Sequence, residues 1–497
     1  MNLDEVFTEP AVESVIYNPS ARELRRMARE QEKTTIFGSA AYVDKVRSRS
    51  AKFTKNTFDD KITEEDLKAV EEAKEHLSKQ EVICLDRVMG QDKRCQFICR
   101  FYITKKYARI AYAWGELLSK PSKEKNPDMI TVMIPEFLKI KILVHPKNFV
   151  TYVLGSDYTG EVKKSFLRMW MYKVKQLGGL GLHAGSKFVC TNNPRKKKKT
   201  GRLFFGLSAT GKTTLTCHGL FLRNGSVKLY QDDVVGLLPD GSCVGTEGEG
   251  LFIKTYGLNP EEQPELFKAV TAPNAILENV WVYDDGGVDF YNDELTRNGR
   301  ASIKRSELGI ASKQIDIPQV DQIFFITRNP LTPPIARLTK EQAAAAFMLG
   351  ESVESSAGDP ERAGERIRMV GTNPFIIGPK GVEGNRLLEL LHLNPRIECF
   401  LLNTGSIGEG NKNKDIRLMD TVNILKALAN DSVEWEFRPE LGFEIPKGLE
   451  DVDLEFNPRE YYNEDEFEEK IRELREERKE WLANFPELNP KIINAVY

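Results

Sequence analysis

Beyond residue 81 the apolar positions gather into short runs: V-I-C-L at 82–85, F-I-C-R-F-Y-I at 97–103, and then 129–134, 140–145 and 149–154. Each run has the length of a strand and is rich in β-branched and aromatic residues. Ahead of them, residues 1–61 are polar and carry Arg22, Arg25, Arg26, Arg47 and Arg49. At Thr63 the period changes. Asp66 follows three residues on, and Leu67, Val70, Ala73 and Leu77 recur at helical spacing, which predicts a helix capped by Thr63. Residues 163–177 have a second helical pattern, broken by the glycines of 178–181. Lys163 and Lys164 at its start are expected to face solvent, and as two cations opposing the helix dipole they ask for anionic neighbours.

The second half alternates strands and turns in the same way. Leu203, Phe204 and Phe205 form an apolar strand, followed by a helix-competent T-T-L-T-C-H-G-L-F-L. A strand over 227–230 ends in Gln231, Asp232 and Asp233, and 322–327 reads as a buried strand. Pro239-Asp-Gly-Ser242 and Asp284-Asp-Gly-Gly287 are hairpin turns. Thr339 and Gln342 form a capping box, and Asn463 with Glu466 is expected to cap a long helix that buries Phe467, Ile471, Leu474, Trp481 and Phe485 on or near one side. The basic run Arg195–Lys199 is expected to be a turn between two strands. The pattern predicts two α/β domains, 1–178 and 179–497.

Composition narrows the class. A chain of 497 residues is too long for one ordinary core. Its 40% hydrophobic content and net charge of −3 describe a soluble globular protein with no broad field for nucleic acid or an anionic membrane. Seven dispersed cysteines with no C-x-x-C suit a reducing compartment, and Cys95 and Cys99 read as core thiols rather than zinc ligands. The N-terminus has no leader-like apolar run and no membrane-length stretch follows, so a cytoplasmic location is expected.

The candidate chemistry centres on Gly206-Leu207-Ser208-Ala209-Thr210-Gly211-Lys212-Thr213, with Thr214 after it. This is the spacing of a phosphate-binding loop. The two glycines allow a tight turn whose N–H groups face an anion, Lys212 can reach the β- and γ-phosphates, and the Thr213 hydroxyl can ligate Mg²⁺. Asp232 and Asp233, at the end of the next apolar strand, are suited to a metal shell. His183, one of five histidines, reads by itself as a core residue, as does His218. Arg49 and Arg300 are candidates to grip carboxylate or phosphate.

Several segments together resemble one family. G-L-S-A-T-G-K-T-T-L is similar to the kinase loop of ATP-type phosphoenolpyruvate carboxykinases, commonly G-L-S-G-T-G-K-T-T-L. Y-T-G-E-V-K-K (158–164) resembles Y-A-G-E-M-K-K, Leu182-His183 its metal-binding M-H, and Asp232-Asp233 its D-D pair. L-T-R-N-G-R-A-S resembles L-T-E-N-T-R-A-S, P-P-I-A-R-L-T-K-E-Q-A resembles P-P-V-S-K-L-T-P-E-Q-A, and R-S-A-K (49–52) and L-N-T-G (402–405) match R-S-P-K and V-N-T-G. The segments keep their order along the chain.

The resemblance implies a two-lobed α/β fold, with a mixed α/β N-terminal domain and a P-loop-containing C-terminal domain. It implies conversion of oxaloacetate and ATP into phosphoenolpyruvate, ADP and CO₂ with Mn²⁺ and Mg²⁺. Carried across by position, Lys164, His183 and Asp233 are expected to ligate Mn²⁺, which requires neutral Lys164, its pKa depressed by the metal and by Lys163. Thr213 is expected to bind Mg²⁺, Lys212 to meet the γ-phosphoryl, Asp232 to order the metal shell and Ser208 to steady the phosphates. Arg49 would hold the substrate carboxylate, Tyr158 would stand by the CO₂ end, and Arg300 would bridge substrate and γ-phosphate. Thr421 is kept on the nucleotide side. Departures gather there: Ala209 in the loop, V-V-G-L after the aspartates, Ser406 for a tryptophan and Asp415 for an arginine. A family glutamate corresponds to Glu247 or Glu249. Two other readings stay open: a same-fold kinase with another acceptor or donor, and a nucleotide-binding regulator. Donor identity and oligomeric state are not specified.

Overall fold

The computed structural model describes residues 2–47, 51–123, 125–193, 196–206, 211–217, 226–353 and 365–497. The chain is mixed α/β and divides into two compact units. The first comprises Met1–Lys173 and Thr246–Ile315, the second Val174–Gly245 and Asp316–Tyr497. The first crossing lies close to the glycines of 178–181, but the chain returns at 245/246 and leaves again at 315/316. A single division into 1–178 and 179–497 therefore does not describe these units. Local composition marks loops; it does not say which sheet a later strand will join.

In the first unit a seven-stranded mixed sheet runs in the order Ser14–Tyr17, Glu81–Met89, Phe97–Thr104, Met129–Ile134, Val150–Leu154, Lys141–His145, Thr54–Asn56. The apolar runs of the sequence are its central strands. The helix Glu64–Ser78 begins with the expected capping box between Thr63 and Asp66 and buries Val70, Ala73 and Leu77. Asp66 does more than cap: it is buried and accepts from Lys55 and Lys141, each at 2.8 Å. A five-stranded sheet orders Gly250–Lys254, Arg300–Lys304, Ile276–Glu278, Ala40–Tyr42 and Lys33–Thr34, so the returning segment supplies three of its strands. The helix expected over 163–177 runs from Thr159 to Gln176. It packs Phe166 against Trp114, ring centroids 4.9 Å apart.

In the second unit an eight-stranded sheet runs Val227–Gln231, Ala184–Asn193, Lys196–Phe205, Gln322–Thr327, Glu398–Asn403, Ile335–Leu338, Phe443–Pro446, Trp435–Arg438. Its three middle strands are parallel and put Phe204, Phe324 and Phe400 in one register row, stacked at 4.9 and 5.2 Å. Burying a ring of that size stabilises by about 2–3 kcal/mol. The helix Lys340–Leu349 opens with the Thr339–Gln342 capping box and is buried along its whole length after Glu341, as its unbroken apolar run requires.

Two local expectations are corrected. Lys196–Lys199 are not a turn; they pair as strand with Cys190–Asn193, because a hairpin arm can carry charges while its backbone is satisfied by the partner strand. Asn463 precedes the helix Glu464–Ala483 but makes no side-chain cap bond; Glu464, Asp465 and Glu466 in its first turn supply the favourable charge instead. Phe467, Ile471 and Leu474 are buried as expected, with Trp481 and Phe485 partly so. Cys95 and Cys99 are buried, as core thiols are.

Candidate active site

In the second unit the strand Lys196–Phe205 delivers the chain to buried Gly206. Leu207, Ser208, Ala209 and Thr210 lie outside the described residues. Gly211 has φ +90°, a left-handed conformation that a side chain would strain, and the short helix Lys212–Cys217 follows. Lys212 is buried. Thr213 and Thr214 lie in this helix, and their side chains, like His218, are outside the described set. The helix is seated from below: the Lys187 ammonium, fully buried, donates to the Leu215 carbonyl at 2.6 Å. A Cβ on Gly185 would stand 2.4 Å from Thr216 Oγ1, so only glycine lets the strand Ala184–Asn193 approach this closely.

Asp232 and Asp233 follow the strand Val227–Gln231, both half-buried. Asp233 Oδ1 lies 3.2 Å from His183 Nε2 and 3.9 Å from Lys212 Nζ. His183 sits between the strands Leu180–Leu182 and Ala184–Asn193, with its ring edge-on to Phe375 at 5.9 Å. Its Nδ1 is 2.6 Å from the carbonyl of Thr372. A carbonyl only accepts, so Nδ1 carries the proton. Gly371 and Thr372, at φ +59° and +50°, form a consecutive left-handed pair that turns this carbonyl toward the ring. His183 is thus no plain core residue. Its neutral Nε2 lone pair and a carboxylate oxygen at 3.2 Å need a positive charge between them, a proton or a metal ion.

The first unit gathers a second group. Tyr158 precedes the helix Thr159–Gln176 and is buried, and burial pushes its phenol above the ordinary range against the pull of Arg300. Arg300 opens the strand Arg300–Lys304 and donates to Asn298 Oδ1 at 2.9 Å, while Asn298 Nδ2 donates to Tyr158 Oη at 3.3 Å. Lys163 is not at the helix start and does not face solvent. It lies within the helix, 1% exposed, with Glu247 Oε2 at 3.1 Å. The anionic neighbour is therefore Glu247; Glu249 is exposed. Phe252 carries all three groups on one ring: Lys163 Nζ at 5.9 Å, the Arg300 guanidinium at 5.6 Å and Tyr158 at 6.3 Å. Phe252, Asn298 and Thr372 had no signal in the sequence pattern.

Lys164, half-buried, is on the same helix in the first unit, and Arg49 lies outside the described residues. Thr421 is buried on the helix Leu418–Ala429, whose start is capped by Arg417 and Asp420. Ser406 and Asp415 face each other in register between two short antiparallel strands, so two of the departures form one pair. Among the described residues no group of three or more His, Cys, Asp and Glu side chains could hold a metal ion, and none has a helix long and apolar enough to cross a membrane. His183 Nε2 and Asp233 Oδ1 do converge as a nitrogen–oxygen donor pair, with chemistry suited to Mn²⁺.

A mixed α/β enzyme of the ATP-dependent carboxykinase class is what the comparisons with known proteins define. The family model for phosphoenolpyruvate carboxykinase matches residues 13–455. The protein named phosphoenolpyruvate carboxykinase (ATP) of Aeropyrum pernix is 35% identical over 484 residues, 95% of each chain. Those of the same name from Mesorhizobium japonicum and Chelativorans are 29% and 28% identical, over 76% and 77% of this chain and 71% and 72% of theirs. The chain belongs to the ATP-type phosphoenolpyruvate carboxykinase family.

Proposed function

We propose that the chain converts oxaloacetate and ATP into phosphoenolpyruvate, ADP and CO₂ in the cytoplasm, in gluconeogenesis or anaplerosis, within the two-lobed, P-loop-containing form of the family fold. The observation that carries this reading is the convergence of His183, Asp233 and Lys212 beside a phosphate-loop pattern, in a chain of this family. The second unit is the nucleotide and metal side, and the first the substrate side. The discontinuous first unit supports that division, since Tyr158, Lys163 and Arg300 belong to it together.

Mn²⁺ would be held by His183 and Asp233, with Asp232 ordering the shell, and Mg²⁺ by Thr213. When bound, these cations supply Lewis-acid stabilisation of developing negative charge. The chain's own groups do the rest. Arg49 grips the substrate carboxylate, and Tyr158 stands at the end from which CO₂ departs. Loss of CO₂ from a β-keto acid leaves negative charge on the enolate oxygen, and the cations of Arg300 and Lys163 lower its energy. Lys212 neutralises charge on the transferring phosphoryl group, and the loop Gly206–Thr214, Ser208 included, holds the polyphosphate. Thr421 lies on the nucleotide side. The partners are small molecules, with no role for nucleic acid or membrane.

One assay tests the reading: ATP, GTP and pyrophosphate compared as donors with oxaloacetate, with and without Mn²⁺. The expected result is Mn²⁺-stimulated ADP formation with equimolar CO₂ release, ATP being the preferred donor. ADP without CO₂, or nucleotide binding without turnover, overturns it.

A further inference from the structure

One guanidinium in the first unit faces three carboxyl groups, all out of contact with solvent. Arg109, from the helix Ala108–Gly115, donates to Asp157 Oδ2 at 2.8 Å and to Asp44 Oδ1, and stands 3.9 Å from Glu278 Oε1. Arg109, Asp44, Asp157 and Glu278 are each under 5% exposed. Burial first, and then the neighbouring carboxylates, push Asp44 well above its ordinary range; burial also raises Glu278. Three carboxyl groups buried around one guanidinium are poor for stability, because desolvating each charge costs several kcal/mol. Apolar residues of similar volume would serve a core at least as well.

What the cluster does accomplish is local. Asp157 accepts the backbone N–H groups of Lys45 at 3.0 Å and Val46 at 2.9 Å. Asn279 and Asp44 exchange two hydrogen bonds, each 2.8 Å, and the Asp44 carbonyl accepts from Arg47 Nε at 2.8 Å. Glu278 accepts the Thr159 N–H at 2.9 Å, which pins the residue next to Tyr158, and Glu278 itself pairs in register with Arg300. Asn298, which joins Tyr158 to Arg300, also reaches the Arg47 carbonyl at 3.5 Å. Four chain segments far apart in sequence are tied at one point; one carries Tyr158, and another pairs in register with Arg300.

We infer that Arg109, Asp44 and Glu278 are positioning residues for the substrate-side groups Tyr158 and Arg300. They touch no substrate themselves. The inference rests on the reading of Tyr158 and Arg300 as substrate-side groups. A shift of about 1 Å in such groups is worth up to about 100-fold in rate, so a loosened knot is read in turnover and in one substrate's KM more than in the other's.

The test uses Asp44→Asn, which is near-isosteric, and Arg109→Lys, which keeps the charge and loses the planar fork, in the full chain, with Arg300→Lys as the reference. The expected result is a folded protein whose KM for oxaloacetate rises about tenfold or more, whose KM for ATP stays within about twofold, and whose effect shrinks when Arg300→Lys is already present. Unchanged KM for oxaloacetate in a folded variant overturns the inference, and so does an equal loss toward both substrates. If both variants fail to fold, the knot is a core element and the inference falls. If Arg300→Lys alone leaves KM for oxaloacetate unchanged, the assignment of Arg300 fails instead, and the two failures are distinguishable.

Discussion

His183 and Thr372 are joined by a 2.6 Å hydrogen bond from the ring Nδ1 to the backbone carbonyl, which fixes the tautomer and turns Nε2 toward Asp233. Such a bond orients a metal-binding imidazole and raises its basicity. His183→Gln is expected to lose Mn²⁺ activation, shifting the Mn²⁺ requirement by at least about 10–100-fold, while ATP binding persists. A Mn²⁺ titration of activity beside ATP calorimetry checks this. Thr372→Gly, which keeps the carbonyl and relieves a positive φ, is expected to retain activation.

The buried pair Lys163–Glu247 makes a second prediction. Glu247→Gln removes the carboxylate that faces a buried ammonium and is expected to cost about 3–5 kcal/mol of stability. Glu249→Gln, at an exposed position, is expected to stay within about 0.5 kcal/mol of wild type. Denaturant midpoints of the two variants separate them.

Asp66 gives the pH prediction. Burial alone would raise its carboxyl, but hydrogen bonds from Lys141, Lys55 and Thr63 hold it well below the ordinary range. The folded value lies below the unfolded one, so its contribution is complete above about pH 4 and is lost as pH falls through the folded value. Asp66→Asn is expected to lower stability at pH 7 by about 2 kcal/mol and to flatten the acid limb of the stability curve. Urea denaturation from pH 7 down to pH 3 measures both effects.

Phe252→Leu removes the ring on which Lys163, Arg300 and Tyr158 meet. A cation–ring contact of this kind contributes about 0.5–2 kcal/mol, so kcat/KM for oxaloacetate is expected to fall by about 3–30-fold. KM for ATP is expected to hold. Steady-state kinetics with each substrate varied in turn tests it.

How much of this was legible beforehand depends on the range of the interaction. The Thr63 cap, the buried run over 322–327 and the 284–287 turn are set by neighbours a few residues apart, and the sequence pattern finds them. The order of matching motifs led to the family. Glu247 and Glu249 are two apart, and only their register within the fold decides which meets Lys163. Thr372 acts through its carbonyl, which every residue possesses, so its side chain announces nothing. Asn298 lay inside a motif noted for Arg300 and gave no sign that it links that arginine to Tyr158. The run at 196–199 is expected to be a turn because charge suits solvent, yet its backbone pairs as strand with 190–193.

The return of Thr246–Ile315 to the first unit has a consequence for biosynthesis. The strand Ala40–Tyr42 takes its parallel partner from Ile276–Glu278, so that sheet cannot close when the first 173 residues leave the ribosome. At about 5–20 residues per second the wait is on the order of 10 seconds. During it the edge of Ala40–Tyr42 is open, and the cluster around Arg109 lacks Glu278 and Asn279. Nascent chains stalled before residue 276 should therefore be protease-sensitive in a segment that becomes resistant once residue 315 has emerged.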